Sequence, residues 1–304
     1  MSSTMTTFGS IDQLQQAFAG RGYIADRDLA TTLYLALTLH RPVLLEGEAG
    51  VGKTEVARTL AQTLDTELIR LQCYEGIDVN TAVYEWDYPR QMLEIRLLEA
   101  RGEAKSAGTR DIFSEAFLIR RPLLRAIDQR ARPAVLLIDE VDRADEEFEA
   151  FLLEVLADFA ITIPEIGTLK ATQPPHVVLT SNRTREVHDA LKRRCLYHWI
   201  DYPSYERELA ILEARMPGVD SALAREAVGF VQRLREADLT KVPGVAETLD
   251  WAAALTALGA RRLEAEQVEQ TLGALLKYQE DMSAMRGGGA KTLLEEVRAT
   301  AGRR

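Results

Sequence analysis

The chain is 304 residues long, 46% hydrophobic and 28% charged, with 37 Lys plus Arg against 47 Asp plus Glu and a net charge of −10. This composition excludes a disordered chain, predicts about two domains at roughly 150 residues each, and argues against a general nucleic-acid or anionic-membrane binder. No apolar run approaches the roughly 20 residues of a membrane helix, no Lys or Arg in the first ten residues starts a signal peptide, and Cys73 and Cys195 are isolated in sequence, so a cytoplasmic setting is expected.

Residues 1–10 read as a loose leader, and helices are predicted over Ile11–Phe18 and Asp26–His40. In the second, Leu29, Leu33, Ala36, Leu37 and His40 recur at steps of three and four and make one apolar face. Val43–Leu45 is a short buried strand, Glu46–Gly52 a Gly-rich loop and Lys53–Leu64 a helix, the opening of an α/β domain. A second strand covers Leu68–Leu71. In residues 80–98, Leu93, Ile95 and Leu97 alternate with polar residues and predict a strand after a turn at Pro89-Arg90. Residues 101–111 are polar and predict a loop; Arg121–Arg130 predicts a short helix.

Val135–Ile138 is the clearest buried strand, ending in Asp139-Glu140. Phe148, Phe151, Leu152, Val155, Leu156 and Phe159 form one stripe of a helix over Asp145–Phe159. A hairpin follows (Ile161–Ile163 with Gly167–Lys170), then strands at Val177–Leu179 and Trp199-Ile200. From Tyr205 to Tyr278 only helices are predicted, broken near Pro217-Gly218 and Pro243-Gly244. The domain boundary is placed near residue 203, giving an α/β domain over 1–203 and an all-helical domain over 204–304. Gly287–Gly289 predicts a flexible joint within a C-terminal tail that starts at about 286 and is itself a short helix.

Gly47-Glu48-Ala49-Gly50-Val51-Gly52-Lys53-Thr54 fits the G-x-x-x-x-G-K-[ST] phosphate loop at every defined position, with a strand before it and a helix after it. Glycines let backbone N–H groups turn inward around phosphates, where the helix N-terminus adds partial positive charge. Lys53 would reach the β- and γ-phosphates of ATP and the Thr54 hydroxyl would ligate Mg2+; Glu55 is counted with this loop. The apolar strand 135–138 delivers Asp139, a second candidate Mg2+ ligand, and Glu140, which could polarise an attacking water as a general base. Asn182 ends the Val177–Thr180 strand as either a water-orienting amide or a turn residue. Arg193 and Arg194 are either cations supplied to a neighbour's γ-phosphate or a solvated basic patch, and Arg143 has the same two readings. Tyr84, Trp86 and Tyr88 form either an exposed tip or core.

Together the phosphate loop, Leu-Leu-Ile-Asp-Glu, the strand-end Asn and the following helical region resemble an AAA+ ATPase. Residues 44–54, 72–76, 139–144 and 244–251 resemble more narrowly the MoxR branch, of the CoxD type that accompanies carbon monoxide dehydrogenase and related molybdenum hydroxylases. The resemblance covers about residues 10–280. It implies a P-loop NTPase core of three layers with a parallel sheet, a small helical lid, and a homo-oligomeric ring, usually a hexamer, with ATP between subunits. It assigns Asn182 to sensor 1 and Arg194, with Arg193 as alternate, to an arginine finger acting in trans. Residues 80–98 match the helix 2 insert and Ile161–Lys170 the hairpin before sensor 1, both facing pore or ring. The implied partners are a von Willebrand factor A domain protein and a metalloenzyme client. Where many AAA+ proteins place a sensor 2 Arg, this chain has Val245-Ala246-Glu247-Thr248.

The expected function is therefore a Mg-ATP-hydrolysing remodelling ATPase that assists maturation or metal-cofactor assembly of a metalloenzyme. The rival readings are an activase of an inhibited enzyme, a nucleic-acid-directed motor, which the net charge disfavours, and a low-turnover ATP-gated scaffold.

Overall fold

The computed structural model describes residues 8–102, 112–129 and 132–301. The chain divides into two compact units. One takes in the chain through Leu14, Arg27–Glu46 and Val56–Trp199; the other takes in Gln15–Asp26, Gly47–Glu55 and the chain from Ile200 onward.

The first unit is built on a five-stranded sheet of β1 (Val43–Gly47), β2 (Leu68–Gln72), β5 (Val135–Asp139), β8 (His176–Ser181) and β9 (Leu196–Ile200), in the order β2-β5-β8-β1-β9. The β1–β8, β5–β8 and β2–β5 pairs are parallel. Parallel neighbours need crossover connections, which cover both faces and explain why β1 and β5 are buried end to end. Alternation sorts the side chains into two layers. Leu44, Leu136, Ile138, Val177 and Leu179 join the core that holds Leu123, Leu124, Phe148 and Leu152. Val43 and Val178, paired in register, line the opposite layer with Leu33, Ala36 and Leu60 of the helices Arg27–Leu39 and Lys53–Leu64. Because β1, β5 and β8 are parallel, Glu46, Asp139 and Ser181 all close strands at one edge of the sheet.

Two small antiparallel pairs complete this unit: β3 (Tyr84–Trp86) with β4 (Leu118–Arg120), and β6 (Ala160–Ile163) with β7 (Gly167–Lys170). The predicted strand through Leu93–Leu97 is instead a helix, Tyr88–Arg101. Asp87 caps it by accepting from the Arg90 N–H at 3.1 Å, Pro89 sits in its first turn, and Gly102 in the left-handed conformation ends it. Trp86 is core, with the Phe113 ring edge-on at 5.2 Å, while Tyr88 is exposed. Most of the predicted loop 101–111 lies outside the described residues.

The second unit carries the helices Tyr205–Arg215, Ser221–Leu234, Val245–Ala257, Ala265–Leu275, Gln279–Met285 and Gly289–Ala301. Its core gathers Phe230, Val231, Trp251, Leu255, Leu263 and Leu272. The segment after Gly288 is the expected helix, and one face of it is packed: Ala290, Leu294 and Val297, at steps of four and three, are buried, and the first two join that core. Among the described residues no helix is long and apolar enough to cross a membrane.

Candidate functional site

The phosphate-loop residues lie in the second unit. The Lys53 side chain is 6% exposed, and its Nζ donates to the carbonyls of Gly47 at 2.6 Å and Glu48 at 2.7 Å. An ammonium is thus held inside the loop at the N-terminus of the 12-residue helix Lys53–Leu64, where cationic charge and helix dipole add. Gly50 has φ +79°, and a Cβ there would stand 2.7 Å from Glu247 Oε2 and 3.3 Å from Gly244 Cα. Only glycine combines that backbone with that approach. This ring of backbone around a buried ammonium fits an anionic polyphosphate.

Three further elements brace the loop. The Ala246 N–H donates to the Gly50 carbonyl at 3.0 Å. Glu247 accepts from the Gly244 N–H at 3.0 Å, tying the chain down at the start of the helix Val245–Ala257. Arg215 donates to Glu55 Oε1 at 2.9 Å. Tyr23 packs edge-on to Phe18 at 5.8 Å, and its ring lies 3.9 Å from where a Gly52 Cβ would stand. Burial pushes the Tyr23 hydroxyl well above its ordinary pKa, against the pull of Arg207, with Asp26 and Glu55 adding to the rise. Nothing in the sequence pattern points to Tyr23; its role follows from the fold-back of residues 15–26.

The acidic residues lie in the first unit. Asp139 is buried at the end of β5. Its Oδ1 accepts from the Thr180 hydroxyl at 2.5 Å, and its Oδ2 accepts from Arg70 through Nε at 3.0 Å and Nη2 at 2.6 Å. Thr180 in turn accepts from the Glu140 N–H at 2.9 Å. Glu140 adopts φ +55°, a left-handed conformation that is strained for a residue with a side chain. Its Oε1 lies 3.4 Å from Asn182 Nδ2, and its Oε2 lies 3.0 Å from Arg143 Nε. Adjacent strand ends therefore bring Glu140 and Asn182 together and put Arg143 on the same carboxylate. Asp139 and the Thr54 hydroxyl are hard oxygen donors of the kind Mg2+ takes, and the guanidinium on Asp139 Oδ2 shows that this oxygen accepts a cation.

Two buried carboxylates that the sequence reading passes over hold the surroundings. Asp142 accepts from the N–H of Asn182 at 3.2 Å, the N–H of Thr184 at 2.8 Å and the Thr184 hydroxyl at 2.7 Å. Glu149 accepts from the His188 N–H at 2.7 Å and pairs with Arg185. His188 begins the six-residue helix Asp189–Arg194. Arg41 closes its other end, donating to the carbonyls of Arg193 at 2.9 Å and Arg194 at 3.2 Å. The Arg193 and Arg194 side chains are exposed. Cys73 and Cys195 are buried, each pushed up to about 12 by burial, and are inert at neutral pH. Among the described residues no group of His, Cys, Asp and Glu has the geometry of a metal cluster.

A family model described as AAA domain (dynein-related subfamily) matches residues 42–195. Two uncharacterised proteins of Staphylococcus aureus, from strains USA300 and NCTC 8325, are each 27% identical over 171 residues, 54% of this chain and 57% of theirs. The chain thus spans little more than half the length of these curated relatives. Among solved structures it is similar to the Thermotoga maritima RuvB Holliday junction branch migration motor, at 17% identity and a TM-score of 0.46 over 87% of this chain and 71% of that one. A single-site mutant of the same RuvB gives 19% identity and 0.49 over 88% and 72%.

Proposed function

Because the chain belongs to the AAA domain family, dynein-related subfamily, we propose that it is a Mg2+-dependent ATPase working as a ring-forming remodelling machine. The observation that carries this reading is the convergence of Glu140 and Asn182 at neighbouring strand ends. Glu140 is the base that takes the proton of the attacking water, and Asn182 fixes the carboxylate that receives it. Gly47–Gly52 supply backbone N–H groups to the phosphates, Lys53 offsets charge on the β- and γ-phosphates, and Thr54 and Asp139 are the metal ligands. A Mg2+ ion held by Thr54 and Asp139 would supply positive charge against the negative charge that develops in phosphoryl transfer. Arg194, with Arg193 as alternate, reaches a neighbouring subunit's γ-phosphate, which makes each site complete only in an oligomer. The helical region 204–304 acts as a lid, joined to the phosphate loop through Ala246 and Gly50.

At the finer level we assign the chain to the MoxR branch, CoxD type, on the strength of residues 44–54, 72–76, 139–144 and 244–251. The ring is then a cytoplasmic hexamer, the partner a von Willebrand factor A domain protein, and the client a metalloenzyme such as a molybdenum hydroxylase. A second reading, a slow ATP-gated switch, is favoured by one feature: Glu247, an anion, stands beside Gly50 where a sensor cation would act.

The test is Mg-ATP turnover per subunit across protein concentration. Turnover that rises with concentration and is abolished in Glu140→Gln, with ATP binding retained, supports the ring ATPase. Turnover unchanged in Glu140→Gln removes Glu140 from the mechanism. Turnover that stays near zero in the presence of the von Willebrand partner and client favours the switch.

A further inference from the structure

We propose that Arg70 is a resident counter-cation for Asp139, which the divalent metal must displace, so that this one guanidinium sets how much free Mg2+ the protein needs. The inference rests on the reading of Asp139 as a metal ligand and goes beyond it.

A buried carboxylate demands a partner, because water no longer solvates its charge. Asp139 has two oxygens with different partners. Oδ1 takes the neutral Thr180 hydroxyl at 2.5 Å, a bond compatible with any cation nearby. Oδ2 takes two N–H groups of Arg70, at 3.0 and 2.6 Å, and so holds a positive charge directly against this oxygen. Register explains the reach. Arg70 pairs with Leu137 and Gln72 with Asp139, so the Arg70 side chain runs forward along the β2 edge by two residues to the strand end. Gln72 Oε1 also takes Arg70 Nη2 and steadies the guanidinium from its own strand.

The two partners are unequal in freedom. The Arg70 side chain is 53% exposed, whereas that of Asp139 is 4% exposed. A long aliphatic stem lets the guanidinium swing into water with little loss of solvation, while Asp139 stays fixed by its strand and by Thr180. A metal and a guanidinium cannot both hold Oδ2 at full strength, since each brings positive charge to the same lone pairs. Mg2+ gives up its water reluctantly, so a competitor already seated raises the metal concentration required. Without nucleotide and metal the same pair offsets the buried negative charge at the sheet edge.

The opposing account makes Arg70 a brace between β2 and β5 with no bearing on metal. The two accounts differ in an observable that does not depend on turnover. Binding of a fluorescent ATP analogue is titrated with free Mg2+ for the wild type, Arg70→Gln, Arg70→Lys and Asp139→Asn, and urea midpoints are taken in EDTA and in Mg2+ without nucleotide. The competitor predicts a half-saturating Mg2+ lowered about tenfold in Arg70→Gln, the size expected from losing charge-assisted bonds to one oxygen. Arg70→Lys, which keeps the charge but loses the fork, falls between. Arg70→Gln is destabilised in EDTA and regains part of the loss in Mg2+. Equal Mg2+ requirement in wild type, Arg70→Gln and Arg70→Lys, with Asp139→Asn altered, overturns the proposal and leaves the brace. A raised requirement in Arg70→Gln also overturns it. No Mg2+ response in the wild type, or one unaffected in Asp139→Asn, removes the metal-ligand reading beneath it. Should Arg70→Gln fail to fold, the lysine variant alone decides.

Discussion

The Gly50 carbonyl accepts the Ala246 N–H at 3.0 Å, and the Gly244 Cα stands 3.3 Å from where a Gly50 side chain would begin. The phosphate loop and the first turn of the helix Val245–Ala257 are therefore in backbone contact, with the Glu247 carboxylate beside it. This contact tolerates no padding. A Cβ on Gly244 would lie 2.8 Å from the Ala49 carbonyl oxygen and 2.9 Å from Gly50 Cα. Gly244→Ala is expected to destabilise the helical unit by about 1–3 kcal/mol, as overpacking does, and to weaken ATP-analogue binding. Urea unfolding followed alongside analogue titration checks both. Unchanged binding in a destabilised variant would separate packing from nucleotide affinity.

Asp142 serves three donors from Asn182 and Thr184 while almost wholly buried. Asp142→Ala leaves those donors unpaired and is expected to cost about 2–4 kcal/mol of stability. Because the Asn182 backbone is among them, turnover falls further than ATP binding does. Asp142→Asn, which keeps acceptor oxygen, recovers part of the stability. Equal loss of binding and turnover would mark Asp142 as purely structural.

Arg193 and Arg194 lie exposed at the end of a short helix. If Arg194 serves a neighbour, Arg194→Ala lowers turnover about 1,000-fold or more, in line with other trans arginines, with ATP affinity little changed. Mixing Arg194→Ala with Glu140→Gln provides the check: mixed rings carry sites with both residues intact, so activity returns on mixing. No recovery would argue for action within one subunit.

Burial, with His40 nearby, pulls the His176 pKa down from 6.5 to about 4. The folded chain thus resists a proton that the unfolded chain takes up below about 6.5. The native state is favoured fully above that pH and loses this contribution as the pH falls toward 4, by up to about 3 kcal/mol. Urea midpoints at pH 7.5 and 5, in wild type and His176→Gln, isolate it. The variant should show the smaller drop, and an identical drop would sink the assignment.

What could be read from the sequence follows what is local. The phosphate loop and the run ending in Asp139-Glu140 are legible because spacing within about ten residues specifies them. The sheet strands are legible because burial on both faces forces continuous apolar runs. Helix Tyr88–Arg101 is misread because its apolar residues do not make the core: Met92, Leu93 and Leu97 are exposed, and the buried position is Gln91, which donates to the Ile112 carbonyl at 2.5 Å. Periodicity reports a buried face, and here it had none to report. Arg70 on Asp139 and Glu149 on His188 join residues 69 and 39 positions apart, and only register brings them together. Tyr23 reaches the phosphate loop through a fold-back that no motif marks.

A six-residue helix has too few internal hydrogen bonds to hold its own shape in water. The one bearing Arg193 and Arg194 borrows its direction at one end from Glu149 through His188, and at the other from Arg41, which precedes β1. The direction of two exposed guanidiniums thus depends on residues distant in sequence, Glu149 at 39 positions from His188 and Arg41 at 152 from Arg193, joined to this helix through its backbone ends. A change at Arg41 or Glu149 would leave every motif intact and still alter the direction in which Arg193 and Arg194 project.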